Sequence, residues 1–215
     1  MSMYFQLGII LLILNNFAML GTHRLPSLIK LVTVQGILLS LLLLIPGSKG
    51  IHLHAAILAL AILAIKGICL PRLLFSTFHK VEVDTFLSPH ISYAMSICAG
   101  ILGLIFSLWL EAQLLPSIST FFPPLLIPAA LTTLFSGLIL VVGRARAITQ
   151  VIGYLAAENG IFLLGIPLMT SGSTWFELTI LLDVLAAVFV MGIAINHINA
   201  TFESINIGRF CSLHD

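Results

Sequence analysis

The chain reads as long apolar runs broken by short polar punctuation. Seven runs are long enough to cross a bilayer, at about 4–21, 26–46, 52–74, 90–110, 123–143, 148–169 and 174–197. A spanning helix needs roughly 20 apolar residues, because ~30 Å of hydrocarbon is crossed at about 1.5 Å per residue. The breaks carry turn or charge signals. Gly21-Thr22-His23-Arg24-Leu25-Pro26 separates the first two runs, and Pro46-Gly47-Ser48-Lys49-Gly50 follows the second. His79-Lys80-Val81-Glu82-Val83-Asp84 is the most polar stretch and divides the third run from the fourth. Pro116 and Pro123-Pro124 bracket the next break, and Arg144-Ala145-Arg146 and Ser171-Gly172-Ser173 mark the last two. No break is long enough for a soluble domain. The pattern predicts an all-α membrane protein with seven transmembrane helices in one domain over residues 1–215. The run from Tyr4 has no Lys or Arg before it and no small-x-small cleavage site after it, so it is expected to be retained as a first span.

Composition supports this and removes other classes. Of 215 residues, 60% are hydrophobic and 8% charged, and the mean hydropathy is +1.17. Soluble domains carry about 25% charged residues, so too little polar surface exists here to cover one. A disordered chain needs low hydrophobicity and high charge, the reverse of this composition. The net charge of +1 and the lack of any Lys/Arg cluster exclude nucleic acid as a partner. Three cysteines are too few and too scattered for a disulfide framework or an iron–sulfur site. Cys69 and Cys98 are expected to be small buried hydrophobes, and Cys211 a tail thiol. There is no CxxC, HExxH or Gly-rich phosphate loop, so no cofactor and no metal are expected in this chain.

Charge sets the expected orientation. With seven spans, Arg24, Arg72, Lys80, Arg144, Arg146 and Arg209 fall on one side and Lys49 alone on the other. Cytoplasmic loops hold the excess of basic residues. The N-terminus should therefore lie outside and the C-terminus inside.

Four ionisable side chains fall within spans, where each costs a few kcal/mol or more and marks a pathway or a partner. They are Lys30, Lys66, Glu158 and Asp183. Glu158 lies about ten residues into the sixth span and Asp183 about nine into the seventh, so each is ~14–15 Å deep. These spans run antiparallel and are joined by a short loop, which makes them expected neighbours. Two carboxyl groups at matched depth on adjacent helices are what a proton relay needs, and close approach would couple their titration. Gly153, Ala156, Ala157 and Gly160 around Glu158, and Ala186 and Ala187 after Asp183, allow close helix contact in lipid. Tyr154 and Thr179 lie one turn before Glu158 and Asp183, each placing a hydroxyl on the face of its acid.

Lys66 precedes Pro71 by five residues. The proline leaves the Gly67 carbonyl without its helical donor, and Gly67 loosens the same turn. A lysine beside an unsatisfied carbonyl suits a water-lined proton or ion path. The competing expectation is that Lys66 snorkels to the cytoplasmic interface. Lys30, one turn from the edge, is expected to snorkel, and Gln35 to bridge helices. His23, His52, His54, His79, His90 and His197 fall near span ends as interfacial anchors, as do Tyr4, Trp109 and Trp175.

The run Gly153-Tyr154-Leu155-Ala156-Ala157-Glu158-Asn159-Gly160 resembles the glycine–x–x–x–x–glutamate–asparagine–glycine segment of the hydrogenase-4 component E family. The span holding Leu182-Asp183-Val184-Leu185-Ala186-Ala187 resembles the last span of the same family, and Lys66 with Pro71, and Gln35, fit more loosely. The resemblance implies a four-span part over 1–115 and a three-span part over 116–215. The latter is similar to the K subunit of respiratory complex I and the C subunit of Mrp-type antiporters. In that K subunit, glutamates of the second and third spans belong to the proton path. Glu158 matches the first, and Asp183 stands near the second as an aspartate. The implied protein is a membrane-arm subunit of a group 4 nickel–iron hydrogenase or formate hydrogenlyase-like complex. Its implied partners are antiporter-like and other membrane subunits of the assembly, and electron transfer and hydrogen chemistry would lie in partners, since this chain carries no redox ligands. The expected proton path is Glu158, Asp183, Lys66, Tyr154 and Thr179. The alternatives are a structural subunit joining larger ones and, less favoured, an independent carrier, since no inverted repeat is visible. An intramembrane enzyme ranks last, because no catalytic set lies at matched depth.

Overall fold

The structure is a computed structural model. It describes residues 3–44, 59–60, 62–80, 91–118, 123–144 and 147–166. No strand element occurs among the described residues. The elements are α1 (Met3–Gly21), α2 (Leu25–Leu44), a π-helical segment (Leu63–Cys69) continuing as α3 (Leu70–Lys80), α4 (Tyr93–Ile118), α5 (Leu126–Gly143) and α6 (Ala147–Gly165). Five are long and apolar enough to cross a membrane: α1, α2, α4 over Tyr93–Gln113, α5, and α6 over Ile148–Gly165. The chain is thus a multi-pass helical membrane protein by the length and composition of its helices. The expected seventh span lies outside the described residues.

Two expected boundaries move. The third helix continues to Lys80, past the expected end near 74. Its last turns mix polar with apolar residues, which ends the hydropathy signal without ending the helix. The fourth helix continues to Ile118 instead of stopping near 110. Pro116 falls in its last turn, so the one ladder bond that it removes lies at the helix terminus. Pro71 acts on the third helix where the sequence expected a loosened turn. The ladder widens there into the π-helical segment, in which Leu70 N–H donates to the Ile65 carbonyl five residues back.

Helix neighbours follow a simple order. α4 lies at one flank against α5 and α1, α1 touches α2 and α5, α6 touches α5 and α2, and the π-helical segment with α3 packs on α2 at the other flank. Apolar side chains gain little by leaving lipid for one another, so helices associate through close packing and interhelical hydrogen bonds. The α5–α6 pair shows the first device. A Cβ on Gly160 would stand 2.6 Å from the Leu134 nitrogen and 2.7 Å from the Ala130 carbonyl oxygen. Only glycine lets α6 lie that close to α5, as the small residues around Glu158 foretold.

The interior is layered. One apolar cluster near one end of the bundle includes Met19, Leu20, Leu25, Leu28, Leu74, Leu140, Ile152 and Leu155. A second near the other end includes Phe5, Ile9, Leu12, Leu42, Leu126, Ala130, Phe162 and Leu163. Between them lies a layer of buried polar side chains: Asn16, Gln35, Lys66, Thr133, Glu158 and Asn159. Cys69 and Cys98 are exposed on the outside of the bundle, not buried as expected. Outward positions of a membrane helix are themselves apolar, so hydropathy does not distinguish them from core.

Candidate functional site

The polar layer holds an ion pair. Lys66 Nζ lies 2.7 Å from Glu158 Oε1. It also donates to Asn159 Oδ1 at 2.8 Å and stands 5.6 Å from the centre of the Phe162 ring. Lys66 is 5% exposed and Glu158 2%. The expectation that Lys66 snorkels to the interface is therefore not met. A carboxylate within reach inside the bundle neutralises the ammonium where it stands. Lys30, which has no such acid at hand on its own stretch of helix, is exposed.

The backbone prepares this meeting. Lys66 belongs to the π-helical segment, where the extra residue per turn re-aims the side chains that follow. Gly36 on α2 lets the segment approach, since a Cβ there would lie 2.8 Å from Lys66 Cβ. Glu158 and Asn159 are consecutive on α6, so one helix supplies the ammonium with both a charged and a neutral acceptor.

From the ammonium a hydrogen-bonded chain crosses the bundle. Asn159 Nδ2 donates to Gln35 Oε1 at 3.0 Å. Gln35 Nε2 donates to Asn16 Oδ1 at 2.7 Å, and Asn16 Nδ2 to Thr133 Oγ1 at 2.7 Å. The Thr133 hydroxyl donates to the Ala129 carbonyl at 2.6 Å. Every link points the same way. An ammonium has donors only, so Asn159 must present its oxygen to Lys66. Its amide nitrogen is then committed to Gln35, and each later amide is fixed in turn. The charge on Lys66 thus sets the direction of a dipole chain through α6, α2, α1 and α5. Aligned links polarise one another, which strengthens the grip on the cation. Beside this chain, Thr132 and Ser107 of α4 place their hydroxyls 3.2 Å apart and carry the polar layer to the far flank.

Gln35 bridges helices as expected. Tyr154 is half-buried and packs against the first apolar cluster. Asp183 and Thr179 lie outside the described residues, and with them the expected Glu158–Asp183 pair. Three groups escaped the sequence reading. Asn16 and Thr133 are uncharged, and a polar amide and a hydroxyl within apolar runs are their signals. Glu111 sat just past the expected end of the fourth span. It is buried, and its Oε1 accepts the Leu125 N–H at 2.7 Å. Leu125 is left-handed at φ 67° and precedes α5. A carboxylate at that point satisfies one of the unpaired amides of a helix N-terminus and suits its dipole.

Arg144, counted above as a loop charge, is 1% exposed. Its guanidinium donates to the carbonyls of Leu20 and Ile91, both at 3.1 Å, and its carbon lies 4.2 Å from the centre of the Tyr93 ring. Burial lowers its pKa below the ordinary arginine value, while its interaction with Tyr93 works the other way. It ties the ends of α1 and α5 to the start of α4.

No family model and no solved structure matches the chain. Its sequence is 25% identical over 211 residues to an uncharacterized protein, Rv0085, of Mycobacterium tuberculosis (strain ATCC 25618 / H37Rv). The match covers 95% of this chain and 93% of that protein, so the likeness runs the length of both.

Proposed function

We propose that the chain is a membrane-arm subunit of a complex I-like respiratory assembly, of the group 4 nickel–iron hydrogenase or formate hydrogenlyase type, and that it contributes Glu158 to a proton path. The observation that carries the reading is the Lys66–Glu158 pair, buried between two apolar layers and 2.7 Å apart. The resemblance of the Gly153–Gly160 run to the hydrogenase-4 component E family supports it. Seven spans, an outside N-terminus, a cytoplasmic C-terminus and the cell inner membrane belong to the same proposal. They rest on the hydropathy pattern and on the six basic residues gathered on one side.

In this reading Glu158 exchanges a proton with a group on the following span, Asp183 by its expected depth. Tyr154 and Thr179 supply hydroxyls beside the two acids. Lys66 couples the exchange to charge. When Glu158 is ionised, the pair is neutral as a whole; when it gains a proton, the ammonium no longer faces a charge 2.7 Å away in a low-dielectric site. That penalty ties proton movement to any rearrangement that moves Lys66. Antiporter-like partner subunits would continue the path, and electron transfer would lie elsewhere in the assembly. The test is Glu158→Gln in the assembled complex. Proton translocation should be lost while assembly persists, and a variant that pumps normally contradicts the proposal.

A second reading, a non-conducting structural subunit joining antiporter-like partners to the rest of the membrane arm, is favoured by one feature. The amide chain ends on a backbone carbonyl and cross-links four helices, as a purely structural network would. The double variant Glu158→Gln with Asp183→Asn separates the two. Normal coupling with normal assembly would select the structural role.

A further inference from the structure

The contacts of Lys66 are those of a bound cation. Its nitrogen is held by a carboxylate oxygen at 2.7 Å, an amide oxygen at 2.8 Å and an aromatic face with its centre at 5.6 Å. Oxygen donors of this kind strip water from alkali cations, and aromatic faces attract any cation. Glu158, Asn159 and Phe162 are each 3% exposed or less, so the cradle is shut off from its surroundings.

We propose that Glu158 Oε1, Asn159 Oδ1 and the Phe162 ring form a cradle for a monovalent cation that the chain fills from within by the Lys66 ammonium, making Lys66 the residue that keeps alkali cations out. The tether decides the competition. An ammonium attached to the neighbouring helix has an effective concentration set by its short stem, far above that of free salt. The π-helical segment and the gap left by Gly36 bring that stem to the cradle. A proton needs no such vacancy. It passes from Lys66 Nζ to Glu158 Oε1 along their hydrogen bond, leaving a neutral amine and a neutral acid, and neither heavy atom has to leave. A sodium ion would have to displace the ammonium entirely. The inference deepens the proton-path reading, on which its meaning for transport rests: the path would carry protons and refuse sodium. Occupancy of the cradle does not itself depend on transport.

The experiment uses the full chain in nanodiscs, with thermal unfolding recorded in choline, sodium, potassium, ammonium and methylammonium chlorides at equal ionic strength. The wild type should unfold at the same temperature in all five. Lys66→Ala removes stem and charge and leaves room for an ion with water. It should unfold several degrees higher in at least one small-cation salt than in choline, which is too large to enter. The double variant Lys66→Ala with Glu158→Gln should lose that difference. A Lys66→Ala protein that folds only with a small cation present gives the same support in stronger form. The proposal is overturned if Lys66→Ala behaves alike in every salt, if it fails to fold in any of them, if the wild type responds as strongly, or if the double variant keeps the response. The readout is occupancy, so a chain that proves not to move protons would end the transport reading and leave the cradle standing.

Discussion

Among the described residues two cations are buried in this bundle, and they are held in opposite ways. Lys66 lies in the central layer and faces a carboxylate. Arg144 lies at one end and faces two backbone carbonyls and a tyrosine ring. Arginine does not lose its proton in proteins, and carbonyls cannot take one. The Arg144 site is therefore chemically closed, and it works as a clamp on helix ends, two of which, the C-termini of α1 and α5, have dipoles that favour a positive charge. The Lys66 site has an acid, a base and a hydrogen bond between them. Both are buried; the chemistry of the acceptor separates a clamp from a pair between which a proton has somewhere to go.

The comparison is broken most severely at the ion pair. Lys66→Met alone, or Glu158→Leu alone, takes away the opposite charge 2.7 Å from a buried one, and either should cost about 3–5 kcal/mol. The double variant should recover most of this, since replacing a whole buried pair by apolar residues is close to neutral. Denaturant unfolding of the four proteins gives the coupling directly. Next comes Arg144→Lys. A single ammonium cannot span the two carbonyls that the guanidinium fork reaches, and hydrogen bonds to charged groups contribute about 1.5–3 kcal/mol. Stability should fall by roughly that amount in the same unfolding assay, with any ion movement per assembled complex unchanged. Gln35→Leu should have a smaller effect, about 0.6–1.7 kcal/mol by the range for polar contacts between membrane helices. It interrupts the dipole chain without touching the pair. Lys30→Gln, at an exposed position on α2, should leave the unfolding midpoint where it was.

The legible part of this architecture and the hidden part have different causes. Helix existence was plain, because crossing hydrocarbon demands length and apolarity together. Lys66 and Glu158 stood out because charge at depth is costly. Their pairing did not, since they are 92 residues apart and only the register of the third helix against α6 brings them together. That register depends on the π-helical segment, which Pro71 and Gly67 hinted at without fixing its direction. Asn16 and Thr133 carry no charge and so no obvious cost at depth, and the dipole chain was invisible except as a polar amide in an apolar helix. Arg144 was misread for a further reason. The residue after a helix looks like a loop charge until the carbonyls of two other helix ends are seen around it. Cys69 and Cys98 show the limit of periodicity in lipid, where inward and outward faces are equally apolar.

One measurement bears most directly on the claim that the central pair, and not the clamp, carries movable charge. Protons translocated per turnover are recorded side by side in vesicles holding the assembled complex with the wild-type chain, Glu158→Gln or Arg144→Lys, matched for the amount assembled. The account predicts a wild-type ratio for Arg144→Lys and loss of translocation for Glu158→Gln. A wild-type ratio in Glu158→Gln would contradict it.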